Sequence, residues 1–214
     1  MRIFHHSWFL RLLYIAVFVP GCSRGPARVN QPHMNASDAG SDAIAKYDSN
    51  RDGQIAGEEL QKAPALVAAL PRLDSNGDGG VTAEEMSERV KVWQQMRTGL
   101  MSFPFTVTLD GSPLFGATVT FDPVEYLGDE IKPASCVTDP YGGGGATIAK
   151  QNRPDPTSPP GMHLGLYKVR ISKMVGGKET IPTKYNAQTI LGQEVANDVP
   201  EIANRRVNYE LTTK

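Results

Sequence analysis

The sequence predicts two domains, a small all-α unit followed by an all-β antiparallel sandwich, and three observations predict it. Up to Met101, apolar residues recur at threes and fours (Met86, Val90, Trp93, Met96, Leu100), which is the period of a helix face. From Phe103 onward the pattern becomes alternation, as in Phe105-Thr-Val107-Thr-Leu109 and Ala117-Thr-Val119-Thr-Phe121, the period of a half-buried strand. Two acidic loops, Asp48–Glu59 and Asp74–Glu85, start 26 residues apart inside the helical part. The domain boundary falls near Ser102, giving a helical unit over 41–101 and a sandwich over 103–214. With 40% hydrophobic and 21% charged residues, the 214-residue chain has the composition of a folded protein. Its formal charge of −1 and the lack of a basic stripe argue against a nucleic-acid partner.

Within the helical unit, Glu84-Glu85-Met86 opens the longest helix, Thr82 stands where it can cap it, and Gly99 weakens the far end. Between the loops, Leu60 to Leu73 must hold both an outgoing and an incoming helix, and Pro64 and Pro71 limit their length.

The loops carry the chemistry. The EF-hand pattern asks for oxygen ligands at loop positions 1, 3 and 5, Gly at 6 and Glu at 12. Loop one supplies Asp48, Asn50, Asp52, Gly53 and Glu59, and loop two supplies Asp74, Asn76, Asp78, Gly79 and Glu85. The spacing follows from the ion: calcium is a hard cation that takes about six to eight oxygens, and alternate short side chains point inward as the loop winds round it. Position 7 gives only a backbone carbonyl, so Gln54 and Gly80 serve equally. Ile55 and Val81, at position 8, are expected to pair across the loops as a small strand. Thr82 at position 9 can hold a ligating water, whereas Ala56 cannot, so the first of the two expected Ca2+ sites should be the weaker. Calcium sensors expose a Met-rich groove; here Met86 and Met96 sit at core spacing, which favours a structural role for calcium over regulation of partner binding.

In the second half, Asp110-Gly111-Ser112-Pro113 is a turn, Cys136-Val137-Thr138 and Ala146-Thr147-Ile148 are short strand candidates round Asp139-Pro140-Tyr141-Gly142, and Tyr167–Ile171 and Val207–Leu211 complete the clear strands. Thr106 to Phe121 resembles the opening of carboxypeptidase regulatory-like domains, which are prealbumin-like β-sandwiches of the broader Ig-like kind. Thr138–Gly142 stands where that family places a turn, and Pro160-Gly161 with Gly165–Ile171 resembles its Pro-Gly-x-Tyr-x-Val strand. Ile181–Asn186 resembles a segment of bacterial envelope lipoproteins carrying this sandwich, several of which place an EF-hand pair before it. The resemblance implies a fold and little about function, because such sandwiches host many roles.

No catalytic set is legible, and the chain is read as a non-enzyme. His163 is the one histidine of the sandwich, Cys136 reads as a small core residue, and Gly142–Gly145 lacks the Lys-Ser/Thr of a phosphate loop. Asn152 to Gly161 is proline-rich and reads as a mobile loop.

At the start, Arg2 and Arg11 accompany an apolar run from Leu12 to Val19 that is shorter than the about 20 residues a spanning helix needs. Val19-Pro20-Gly21-Cys22 resembles the bacterial lipoprotein processing site, with Pro20 unusual at its position. The resemblance implies a signal peptide over 1–21, acylation of Cys22, a membrane partner through that acyl anchor, and a place in the cell envelope facing the periplasm or the exterior, where an envelope protein or glycan is the expected further partner. Residues 22–40, rich in Gly, Pro, Asn, Ser and Ala, read as a flexible tether, in which the glycosylation pattern Asn35-Ala36-Ser37 carries no consequence.

Overall fold

The computed structural model describes residues 29–214, so the expected signal peptide and Cys22 lie outside the described residues. The helical part comprises α1 (Ala36–Tyr47), β1 (Gln54–Ile55), α2 (Gly57–Gln61), α3 (Pro64–Leu73), β2 (Val81–Thr82) and α4 (Ala83–Met96). The longest helix opens where expected, and β1 pairs antiparallel with β2 through Ile55 opposite Val81. Pro64 sits in the first turn of α3, where its missing N–H costs nothing. Pro71 does not end that helix. The carbonyl it leaves without an amide belongs to Val67, whose residue is 46% exposed, so water can satisfy it.

The tether expected over 22–40 is shorter than the sequence reading. The α1 helix already begins at Ala36, capped by Asn35, whose Oδ1 accepts the Ser37 amide at 3.2 Å. Ahead of it, Met34 is buried, and Gln31 donates its side-chain amide to the Trp93 carbonyl at 2.8 Å. Gly40 reads as a loop residue in isolation, yet it serves helix packing. A Cβ there would stand 2.2 Å from the Ala83 carbonyl oxygen of α4, so its absence lets the two helices cross closely. The Asn35-Ala36-Ser37 pattern is thereby a helix cap.

The β-rich part adds β3 (Pro104–Leu109), β4 (Ser112–Pro113), β5 (Thr118–Pro123), β6 (Ala134–Val137), β7 (Gly143–Gly145), β8 (Thr147–Ile148), β9 (Gly165–Ser172), β10 (Met174–Val175), β11 (Lys178–Glu179), β12 (Gly192–Val195), a short helix α5 (Pro200–Ala203) and β13 (Val207–Leu211). One five-stranded sheet runs β12-β9-β5-β6-β8; a four-stranded sheet runs β13-β3-β4 with β7 also on β3. The inward faces meet in an aromatic core, with Phe121 of the five-stranded sheet 5.5 Å from Phe105 and 6.3 Å from Tyr209 of the other by ring centroids. Alternation works here because β3, β5 and β13 each bury one face: Phe105 and Val107, Val119 and Phe121, Val207, Tyr209 and Leu211.

Pairing is antiparallel except at β13, which runs parallel to β3, with Tyr209 opposite Val107, against the all-antiparallel expectation. Strand direction is a property of the long connection and leaves no mark on a five-residue alternating run. The glycine stretch is a strand, not a phosphate loop, with Gly143–Gly145 paired to Thr106–Pro104. The proline-rich segment is tied at Arg153, whose Nε donates to the Ile148 carbonyl at 3.2 Å and whose Nη1 donates to that of Ser158 at 3.3 Å.

The two parts share one continuous apolar core. Tyr47 of α1 stands edge-on to Tyr126 at 6.3 Å, and α3 lies along β12.

Candidate metal centre

Both acidic loops are built on the same internal scaffold. In loop one, Asp48 accepts the amides of Arg51 at 2.6 Å and Gly53 at 2.9 Å, Asn50 Oδ1 accepts the Asp52 amide at 2.9 Å, and Asp52 Oδ1 accepts that of Gln54 at 3.0 Å. In loop two, Asp74 accepts the amides of Gly77 at 2.7 Å and Gly79 at 2.9 Å, Asn76 Oδ1 that of Asp78 at 2.9 Å, and Asp78 Oδ1 that of Gly80 at 3.0 Å. These bonds wind the backbone round one point at each loop. Gly53 and Gly79 make the sharp turn at φ +88° and +87°, where a side chain would be strained.

The closing glutamates are largely buried and held from the loop start. Glu59 Oε1 accepts the Ser49 amide at 2.7 Å and hydroxyl at 2.8 Å. Glu85 Oε1 accepts the Ser75 amide at 3.0 Å, while its Oε2 accepts the Thr82 amide and hydroxyl, each at 3.0 Å. The Ser49 hydroxyl foremost holds the Glu59 carboxyl below its ordinary pKa. For Glu85, burial opposes the charge, and the bonds from Thr82 and Ser75 outweigh it, so its pKa is also lowered. The Gly80 amide, with Asn76 and Gln54, does the same for Asp78. Anionic carboxylates are the form a metal requires.

The structure adds residues that the sequence reading did not single out. Ser49 and Ser75 orient the two glutamates; the repeated Asp-Ser-Asn at 48–50 and 74–76 was the available signal. Gln54, assigned only a carbonyl, also sends its side-chain amide to Asp78 Oδ2 of the other loop at 2.7 Å. The Thr82 hydroxyl, expected to hold a water, makes a capping box with Glu85 at the start of α4. Ala56 offers α2 no side-chain cap.

Among the described residues, no three His, Cys, Asp or Glu side chains are gathered as a metal cluster. The donor set nonetheless fits a hard cation: all oxygen, with Asn50 or Asn76 and a backbone carbonyl supplementing three carboxylates in each loop. The protein so defined joins a paired helix–loop–helix unit to a β-rich region with antiparallel sheets. The EF hand family model matches residues 42–63 and 66–91, which makes the helical part an EF-hand region, a fold that implies calcium binding. No curated protein matches the chain.

Proposed function

We propose that this chain is a calcium-binding lipoprotein of the bacterial cell envelope, holding two ions in a mainly structural role, with a non-catalytic binding or structural module in its β-rich half. The observation that carries the reading is the duplicated loop scaffold, in which every required position has its oxygen donor and the two loops are bridged at Ile55 and Val81. Asp48, Asn50, Asp52, the Gln54 carbonyl and Glu59 hold one ion; Asp74, Asn76, Asp78, the Gly80 carbonyl and Glu85 hold the other. Trp93 of α4 is buried and donates its indole N–H to Glu194 of the β-rich part, a tie that supports a structural role. The β-rich half is proposed as a carboxypeptidase regulatory-like domain on its resemblance over Thr106–Phe121, and Cys22 as the acylated residue.

Calorimetric titration of the full chain with calcium tests the central claim. Two binding events are expected, with Glu85→Gln abolishing the tighter and Glu59→Gln the weaker; one event or none would overturn the assignment of the loops. Cys22→Ser is expected to move the protein from the membrane to the soluble envelope fraction, and its retention in the membrane pellet would contradict the anchor.

A further inference from the structure

Loop two is framed by α3, which ends at Leu73 beside Asp74, and by α4, which carries Glu85 in its first turn. Each of these helices sends an arginine to one carboxylate of the β-rich part, Glu194 on β12. Arg72 Nε pairs with Glu194 Oε2. Arg89, one turn beyond Glu85, donates from Nε to Glu194 Oε1 at 2.6 Å, and the Trp93 indole N–H donates to the same oxygen at 3.0 Å. Glu194 is 0% exposed. Arg89 is itself buried and grips Asp198 with its two terminal nitrogens, each at 2.7 Å. The backbones meet here as well: a Cβ on Gly192 would stand 1.9 Å from the Pro64 carbonyl oxygen at the start of α3.

A carboxylate this deeply buried is tolerated only with its charge matched and its oxygens bonded. Glu194 meets that condition from two helices at once, so it is satisfied at one relative placement of α3 and α4. The same placement sets the separation of Asp74 and Glu85, the first and last ligand positions of loop two. Loop one has no equivalent. Its flanking helices do not reach Glu194, and the ion pair of α1 with the β-rich part, Lys46–Glu125 at 2.5 Å, has its glutamate side chain 84% exposed and is correspondingly weak.

We propose that Glu194 is a positioning residue for the second calcium site: the β-rich domain, through Arg72 and Arg89, holds the helices of loop two at the separation at which its ligands converge. The inference rests on the calcium reading above. By linkage the coupling is reciprocal, so calcium in loop two tightens the grip of the helical pair on β12 by the same factor.

The test is calcium titration of the full chain in two single-site backgrounds, Glu59→Gln to report loop two and Glu85→Gln to report loop one, each with and without Glu194→Gln. Circular dichroism checks the fold of each protein. Loop-two affinity is expected to fall by about tenfold, within the usual range of inter-site coupling, while loop-one affinity, reached only through the β1–β2 bridge and the contact of α1 with α4, falls clearly less. Arg72→Gln unhooks α3 alone and leaves the Arg89–Glu194 pair in the core; it is expected to give the same selective loss and decides the matter if Glu194→Gln does not fold. Equal losses at both loops, or no loss at loop two in a folded variant, would overturn the proposal. A wild-type chain that takes up no calcium would instead remove the calcium reading itself, before any variant is compared.

Discussion

His163 is nearly fully buried beside β9, accepting the Lys132 amide at its Nδ1 at 3.4 Å and leaving Nε2 without a partner among the described residues. Burial foremost, then the neighbouring Lys132 charge, lowers its pKa to about 4, with Glu130 opposing. The unfolded chain, with an ordinary histidine near 6.5, therefore binds a proton that the folded chain refuses. The stability from this residue is fully present above about pH 6.5 and is lost as pH falls towards about 4. Urea unfolding at a series of pH values between these limits is expected to show wild-type stability falling, and His163→Gln to flatten that part of the fall; parallel curves would show that the ring titrates normally in the fold. Histidine type alone carries none of this, since burial is a property of the assembled sheets. The loop ligands are the opposite case. Their place in an EF-hand loop was legible because the pattern fixes a residue type at each position, whereas Ser49, Ser75 and the crossing amide of Gln54 act through contacts that no single position announces.

Among the elements, α4 depends most clearly on a local signal. Thr82 caps it and shares a reciprocal bond with Glu85, so Thr82→Ala is expected to cost about 1 kcal/mol, the usual value of an N-cap, in chemical denaturation with a chelator present. A change within about 0.3 kcal/mol of zero would mean that the cap is replaced by water. The strands β3, β5, β9 and β13 were legible because each buries alternate side chains. Phe121, fully buried in the aromatic core, is expected to cost about 3–5 kcal/mol when cut to Ala, measured by the same denaturation. The strand β12 was not legible: it is only four residues long, and a glutamate occupies one of its two buried positions. The α1 start was missed because Gly40, which shortens a helix in isolation, here lets one helix press against another.

For the whole molecule, the sequence pattern gives two parts and, taken alone, two unfolding events, with chelation melting residues 41–101 and sparing the sandwich. The continuous apolar core and the two arginines on Glu194 join them instead. An ion bound only by the folded state stabilises it by about 2.7 kcal/mol at a hundredfold excess over its dissociation constant, and here that gain reaches the sheets. Scanning calorimetry is expected to show one transition that chelation lowers as a unit, with helix and sheet signals lost together; a sheet signal that ignores chelation would show the parts to be independent. The contact is invisible to pattern reading because its members lie far apart in the chain, Arg89 and Glu194 being 105 positions distant. A similar distance governs how the molecule comes into being. The inner strand β3 has β13 as its parallel neighbour, with Thr106 reaching Asn208 across 102 positions. While the chain is being made from its amino end, β3 waits with one edge bare and Phe105 without the Tyr209 ring until β13 emerges. The sheet therefore closes late in synthesis, and a ribosome stalled before residue 207 would carry β3 with an open edge beside an unfinished β-layer.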